Sequence, residues 1–233
     1  MCGRFTLRTP LTQLAKQFQF DLDAALVDTG PRYNIAPTQD IAAVRVREPG
    51  GRRELALLHW GLIPSWAKDT KIAGSTINAR SETIAEKPAF RSAFKRRRCL
   101  VLMDGFYEWK RVGKTKQPYL YEIDGGKPFA LAGLWETWHG AKGSEGPPLE
   151  SCSLITTEPN KLAAEVHDRM PVILDAVDYA QWLDPAVQDR ETLEKLLVPF
   201  DAGRMTARPV STYVSNARNQ GPQCVEPVKP DLF

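Results

Sequence analysis

Long apolar runs are missing from this 233-residue chain. None comes near the roughly 20 residues that a membrane-spanning helix needs, and the start lacks the charged-then-apolar layout of a signal peptide. These absences predict a soluble, intracellular, cytoplasmic protein with no membrane partner. Cysteine is scarce and scattered: Cys2, Cys99, Cys152 and Cys224 include no Cys-x-x-Cys pair, and the only histidines are His59, His139 and His167. No metal-ligand spacing exists, so neither a metal nor another cofactor is expected. Strong net charge is also missing. A formal charge of +3 does not by itself identify a nucleic-acid binder. There is no internal repeat and no sign of a second domain.

What is present is ample apolar material, 42% of the residues, in short punctuated segments. "TPLTQLAKQF" predicts an amphipathic helix with Thr9 as cap and Pro10 in its first turn. Strand-like runs follow in "DIAAVRV", "RELALLHW", "RRCLVLMDGFYEW", "QPYLYEI", "KPFALAGLWE", "CSLITT" and "PVIL", many separated by Gly or Pro. Helical patches lie in "PAFRSAF", "NKLAAEVH", "VDYAQWL" and "ETLEKLLV". Without regular strand-helix alternation, this order favours an α+β fold built around antiparallel sheet. Cys99 and Cys152 read as small buried hydrophobes. "HGAKGSEGPPLE" reads as a surface loop, and residues 221–233 as an irregular tail. The basic run Lys95 to Arg98 reads either as a solvated face or as a contact for phosphates.

Several polar residues stand where chemistry could occur. Loss of the initiator methionine would make Cys2 the new terminus, with a thiol and a primary amine on one residue. In "DGFYEWK", strand alternation puts Phe106 and Glu108 on one face and Tyr107 and Trp109 on the other. A carboxyl among aromatics favours its neutral form, which suits a proton donor and acceptor, although Glu108 could equally pair with Lys110 or Arg111 at the surface. His167 closes a predicted helix whose terminal carbonyls would favour imidazolium; it reads as a general acid or base, or as a simple cap. In "STINARSET", Asn78 could orient a nucleophile while Arg80 meets a phosphate, or Asn78 could satisfy a turn.

"MCGRF", "RYNIAP", "WGLIPSW", "INAR", "DGFYEWK" and "HDRMP", in this order and across most of the chain, resemble the SOS-response-associated peptidase (SRAP) family. The resemblance implies a single SRAP-type domain over residues 1–220, with twisted antiparallel sheets, a barrel-like β core and peripheral helices. It implies a monomer whose partner is single-stranded DNA carrying abasic sites, which it bonds covalently and shields from strand cleavage, at the nucleoid when bound. On the matching motifs, Cys2 is the nucleophile and Asn78, Glu108 and His167 complete the catalytic set. Arg4, Asn34, Pro37, Trp66, Arg80, Thr156 and Arg169 are implied DNA contacts. One departure is Ala67, where some relatives carry a second tryptophan. Self-cleavage to expose Cys2, adduct hydrolysis and lyase chemistry are further activities the resemblance leaves open. Two other readings remain: an N-terminal-nucleophile glutamine amidohydrolase, suggested by Cys2 before Gly3, and a non-covalent nucleic-acid module in which Cys2 is incidental.

Overall fold

The computed structural model describes residues 2–22, 30–141 and 146–228. Within them the strands are β1 (Phe5–Leu7), β2 (Arg32–Ile35), β3 (Asp40–Arg45), β4 (Glu54–Trp60), β5 (Asn78–Arg80), β6 (Arg98–Met103), β7 (Gly105–Val112), β8 (Thr115–Ile123), β9 (Phe129–Trp138), β10 (Leu149–Thr157), β11 (Met170–Pro171), β12 (Ile173–Leu174) and β13 (Met205–Pro209). The helices are short: α1 (Leu11–Phe18), α2 (Arg91–Arg96), α3 (Tyr179–Leu183) and α4 (Arg190–Glu194).

Five strands close into a barrel. β3 pairs antiparallel with β4 and β6, and β9 pairs antiparallel with β6 and β10. A parallel pairing of β4 with β10 completes the ring. β6 and most of β9 are buried along their length, which explains why they read as continuous apolar runs instead of alternating ones. Close packing requires small residues at contact points: a Cβ on Gly133 would stand 2.9 Å from Cys99 Sγ. A second, five-stranded sheet runs in the order β13-β8-β7-β1-β2 and shares the main core with the barrel, for example through Phe5 against Trp60 at 5.3 Å. The architecture is therefore a single α+β domain with a closed β core and peripheral helices.

Several expectations need correction. Thr9 does not cap α1; its amide and hydroxyl both donate to Asp104, and Pro10 occupies the cap position without a side-chain bond. "NKLAAEVH" forms only a single 3-10 turn, Ala163–Glu165. The run "KRRR" is not one surface. Arg98 is buried and donates to the carbonyls of Phe94, Lys95, Trp182, Asp184 and Val187, and Arg97 pairs with Glu136 at 2.6 Å. Residues 221–228 do not hang free: Pro222–Val225 forms a 3-10 turn, Cys224 is buried beside Tyr107 and Leu120, and Val210 bridges to Pro227. The rest of the predicted tail, 229–233, and positions 142–145 of the predicted loop lie outside the described residues.

Candidate functional site

β1 carries the amino-terminal residues to the site. It lies between β2 and β7, antiparallel to both; Phe5 registers with Phe106, and the Tyr107 N–H donates to the Arg4 carbonyl at 2.9 Å. The far end of β1 is fixed by Asp104, a buried carboxylate at the corner between β6 and β7. It accepts from the Thr6 hydroxyl, from the Arg8 amide at 2.5 Å and its Nε at 3.0 Å, and from the Thr9 amide at 2.9 Å and hydroxyl at 3.0 Å.

Asn78 approaches from the barrel. It opens β5, which lies parallel to β10 with Asn78 against Leu154, and its Nδ2 donates to the Cys2 carbonyl at 2.9 Å. Cys2 has no exposed surface in the chain that retains Met1. Burial, and after it the Glu108 carboxyl, hold its thiol well above the ordinary range, so the sulfur rests protonated.

Glu108 faces the core side of β7 with Phe106, as strand alternation predicts, while Tyr107 and Trp109 belong to the cluster on the other face. At 5% exposure its carboxyl is poorly solvated, and this burial raises its pKa above the ordinary carboxylate value. His167 follows the 3-10 turn, its amide donating to Ala163 O at 2.9 Å. Its Nδ1 accepts from the Arg169 amide at 3.1 Å and lies 2.7 Å from Asp168 Oδ1. One nitrogen cannot serve both at once. The neutral ring accepts from Arg169 and carries its proton on Nε2; the protonated ring donates to Asp168. Burial lowers the pKa, so the neutral ring is the form near pH 7, opposite to the helix-end expectation. Glu108 and His167 line one cleft of about 580 Å³ with Arg4, Trp109, Val166 and Ser215, its outer part walled by Arg111 and Lys116.

The residues proposed to contact DNA occupy different depths. Trp66 is 59% exposed, Arg80 is exposed at the end of β5, and Pro37 is half-buried in the turn after β2. Arg4 lies in the cleft wall over Trp109 at 5.6 Å and donates to Asn34 Oδ1 at 2.8 Å. Asn34 is fully buried, and its Nδ2 holds the carbonyls of Val214, Asn216 and Asn219; here it orients Arg4 and pins the 214–219 segment. Thr156 is likewise fully buried, and Arg169 forks Glu82 while donating to the Thr156 carbonyl at 2.6 Å. Ala67 points inward to Ile63 and Ala73, with its carbonyl accepting from Trp138 Nε1 at 2.8 Å, so the departure at this position concerns packing beneath the Trp66 loop. Asp104 and Lys116 went unnoticed in the sequence, and Arg111 was read only as a surface partner for Glu108, although an acid interrupting the apolar run "CLVLMDGF" was a signal for the first.

Residues 1–217 match the family described as SOS response associated peptidase (SRAP). The chain is 44% identical to the abasic site processing protein YoqW of Bacillus subtilis (strain 168) over 227 residues, 97% of this chain and 99% of that one. It is 37% identical to the abasic site processing protein HMCES of Xenopus tropicalis over 223 residues, 84% of this chain and 65% of that one. A crystal structure of a protein from Bacteroides thetaiotaomicron superposes with a TM-score of 0.85 at 26% identity, covering 98% of this chain and all of that one. The fold, the shared motifs and these matches agree: this chain belongs to the SRAP family.

Proposed function

We propose that the protein captures abasic sites in single-stranded DNA through a thiazolidine formed by Cys2 once Met1 has been removed. The observation that carries this reading is the meeting of four side chains from distant parts of the chain: Asn78 holds Cys2, Glu108 couples electrostatically to its thiol, and His167 shares the cleft with Glu108. The names of the matched relatives, abasic site processing proteins, support the choice of substrate.

Each group has a chemical task. An abasic sugar rests mostly as a closed hemiacetal, and a carboxyl with a raised pKa beside a neutral imidazole can move the protons that open it. The Cys2 amine, with a reference pKa of about 7.7 to 8.0, is appreciably neutral near pH 7. It attacks the aldehyde carbon and water leaves, giving a Schiff base. Asn78 Oδ1, which has no hydrogen-bond partner among the described residues, is open to an amine N–H.

Because the Cys2 thiol rests protonated, its proton must pass to a base, Glu108 or His167, as sulfur adds to the same carbon. The C=N electron pair moves to the nitrogen of the protonated Schiff base, which becomes a neutral secondary amine, and the five-membered ring closes. Holding both nucleophiles on one residue gives this step a large effective concentration. The saturated ring removes the electron sink that would promote loss of the 3′ phosphate, so the strand survives. The same acid-base pair run backwards supports reversal of the adduct.

Intact-mass measurement after mixing with abasic single-stranded DNA tests the reading. Wild type gives an adduct stable to denaturation; Cys2→Ala, and a variant with Ala inserted before Cys2, give none. Ammonia release from glutamine without an adduct would favour the amidohydrolase reading, and no stable adduct of any kind would favour the non-covalent module.

A further inference from the structure

The β7–β8 hairpin leaves its sheet before it ends. β1 contacts β7 only as far as Tyr107, and β13 pairs with β8 only from Tyr119 inward, so residues 110–117 form a two-stranded arm with no third strand. Its base is anchored by the buried Gln117, whose Nε2 donates to Val210 O at 2.8 Å. Its tip turns at Gly113, φ 59°, with Thr115 Oγ1 donating to Val112 O at 2.9 Å.

The arm carries Lys110, Arg111, Lys114 and Lys116 and no acid. Arg111 and Lys116 register directly opposite one another, a placement that destabilises a ribbon unless something anionic lies between them. Among the described residues neither forms an ion pair, whereas Arg8, Arg97 and Arg169 each hold a carboxylate. Both line the outer end of the cleft that holds Glu108 and His167; neither Arg80 nor Trp66 lines it.

We propose that this arm is a second phosphate-binding site: Arg111 and Lys116 bind backbone phosphates of the strand flanking the captured sugar. The proposal rests on the function proposed above and adds a subsite to it. Phosphodiesters fit because the facing cations are exposed and the cleft between them is open, and the contact is sequence-independent.

The experiment measures binding of single-stranded DNA against salt for wild type, for Arg111→Gln/Lys116→Gln, and for Lys127→Gln/Lys195→Gln, which removes two exposed lysines outside the cleft. Each phosphate contact contributes about 0.7 to the slope of log K against log salt on single strands, so loss of two lowers the slope by about 1.4. Between 50 and 200 mM salt, the arm variant should therefore lose about 7-fold less affinity than wild type. An unchanged slope in the arm variant, or an equal drop in the control variant, overturns the proposal while wild-type adduct formation leaves the parent reading intact. Failure of the wild type to form any adduct sinks the parent reading instead.

Discussion

Asp104→Asn removes the charge that anchors β1 and keeps the shape of the side chain. Five donors converge on this carboxylate, two of them the backbone amides of Arg8 and Thr9. The amide that replaces it has one acceptor oxygen, and its NH₂ faces donors. Both backbone amides and the Thr9 hydroxyl donate to Oδ2, so the single oxygen can keep those bonds only by turning the NH₂ onto the Arg8 Nε–H; one donor is then left without a partner, at about 1 to 3 kcal/mol, and the charge-assisted strength of the remaining bonds is lost. Arg8 is partly solvated, its side chain 25% exposed and also paired with Glu122, so it avoids the full penalty of a stranded buried ion. A loss of about 3 kcal/mol follows. For a domain of this size each kcal/mol lowers Tm by about 2 to 4 °C, so calorimetry should record a fall of about 6 to 12 °C. Because β1 also sets the position of Cys2, adduct formation should slow at temperatures where the variant is still folded. A Tm within 2 °C of wild type, together with an unchanged adduct rate, would refute the claim that Asp104 holds the amino-terminal strand in place.

Other outcomes follow from the same structure. The Glu108 carboxyl is raised in the fold, so above its ordinary pKa of 4.5 the folded state binds more protons than the unfolded one and stability falls as pH rises. Glu108→Gln should remove that slope, and urea denaturation between pH 4.5 and 8 checks it; parallel curves for variant and wild type would contradict it. His167 is shifted the other way, and its contribution to stability is present above pH 6.5 and is lost as pH falls below it. His167→Gln should flatten that acid limb in the same titration. Arg98→Met strands carbonyls of Trp182, Asp184 and Val187 that the guanidinium now serves, and should cost about 3 to 5 kcal/mol by chemical denaturation, with the 182–187 segment the first to be cut by protease. Gly61→Ala places a Cβ 2.6 Å from the Ala73 carbonyl at φ 139°, and should lower Tm and weaken DNA binding through the displaced Trp66 loop; a wild-type Tm would contradict it.

The long strands were legible because their apolar and β-branched residues have few alternatives to a buried sheet, as in "CLVLM" and "SLITT". β1, β2, β5 and β13 were not, being three to five residues long and defined by partners far away in the chain. The facing of Glu108 followed from the two-residue period alone. The state of His167 did not: Asn160 takes the Ala163 amide on its side chain, and only one turn forms before the chain leaves for β11, so no helix end exists to favour the charged ring. Depth was likewise invisible. Asn34 and Thr156 belong to recognisable motifs, yet both are buried, and each accepts a hydrogen bond from an arginine, Arg4 and Arg169 respectively. The arm at 110–117 was hidden for the opposite reason, since a few lysines between strands look like ordinary solvated residues until the register sets two cations face to face.

The last residues of β10 hold both flanks of the site at once. Leu154 to Thr156 carry β5, and with it Asn78; Thr156 and Thr157 on the other edge carry β11, which follows directly on His167 to Arg169. Fluctuations that fray this short stretch must therefore release the clasp on Cys2 and the histidine loop together. Amide hydrogen exchange at Ala79, Thr156 and Met170 should report one common opening free energy, making the candidate site a single cooperative unit that is either fully assembled or absent.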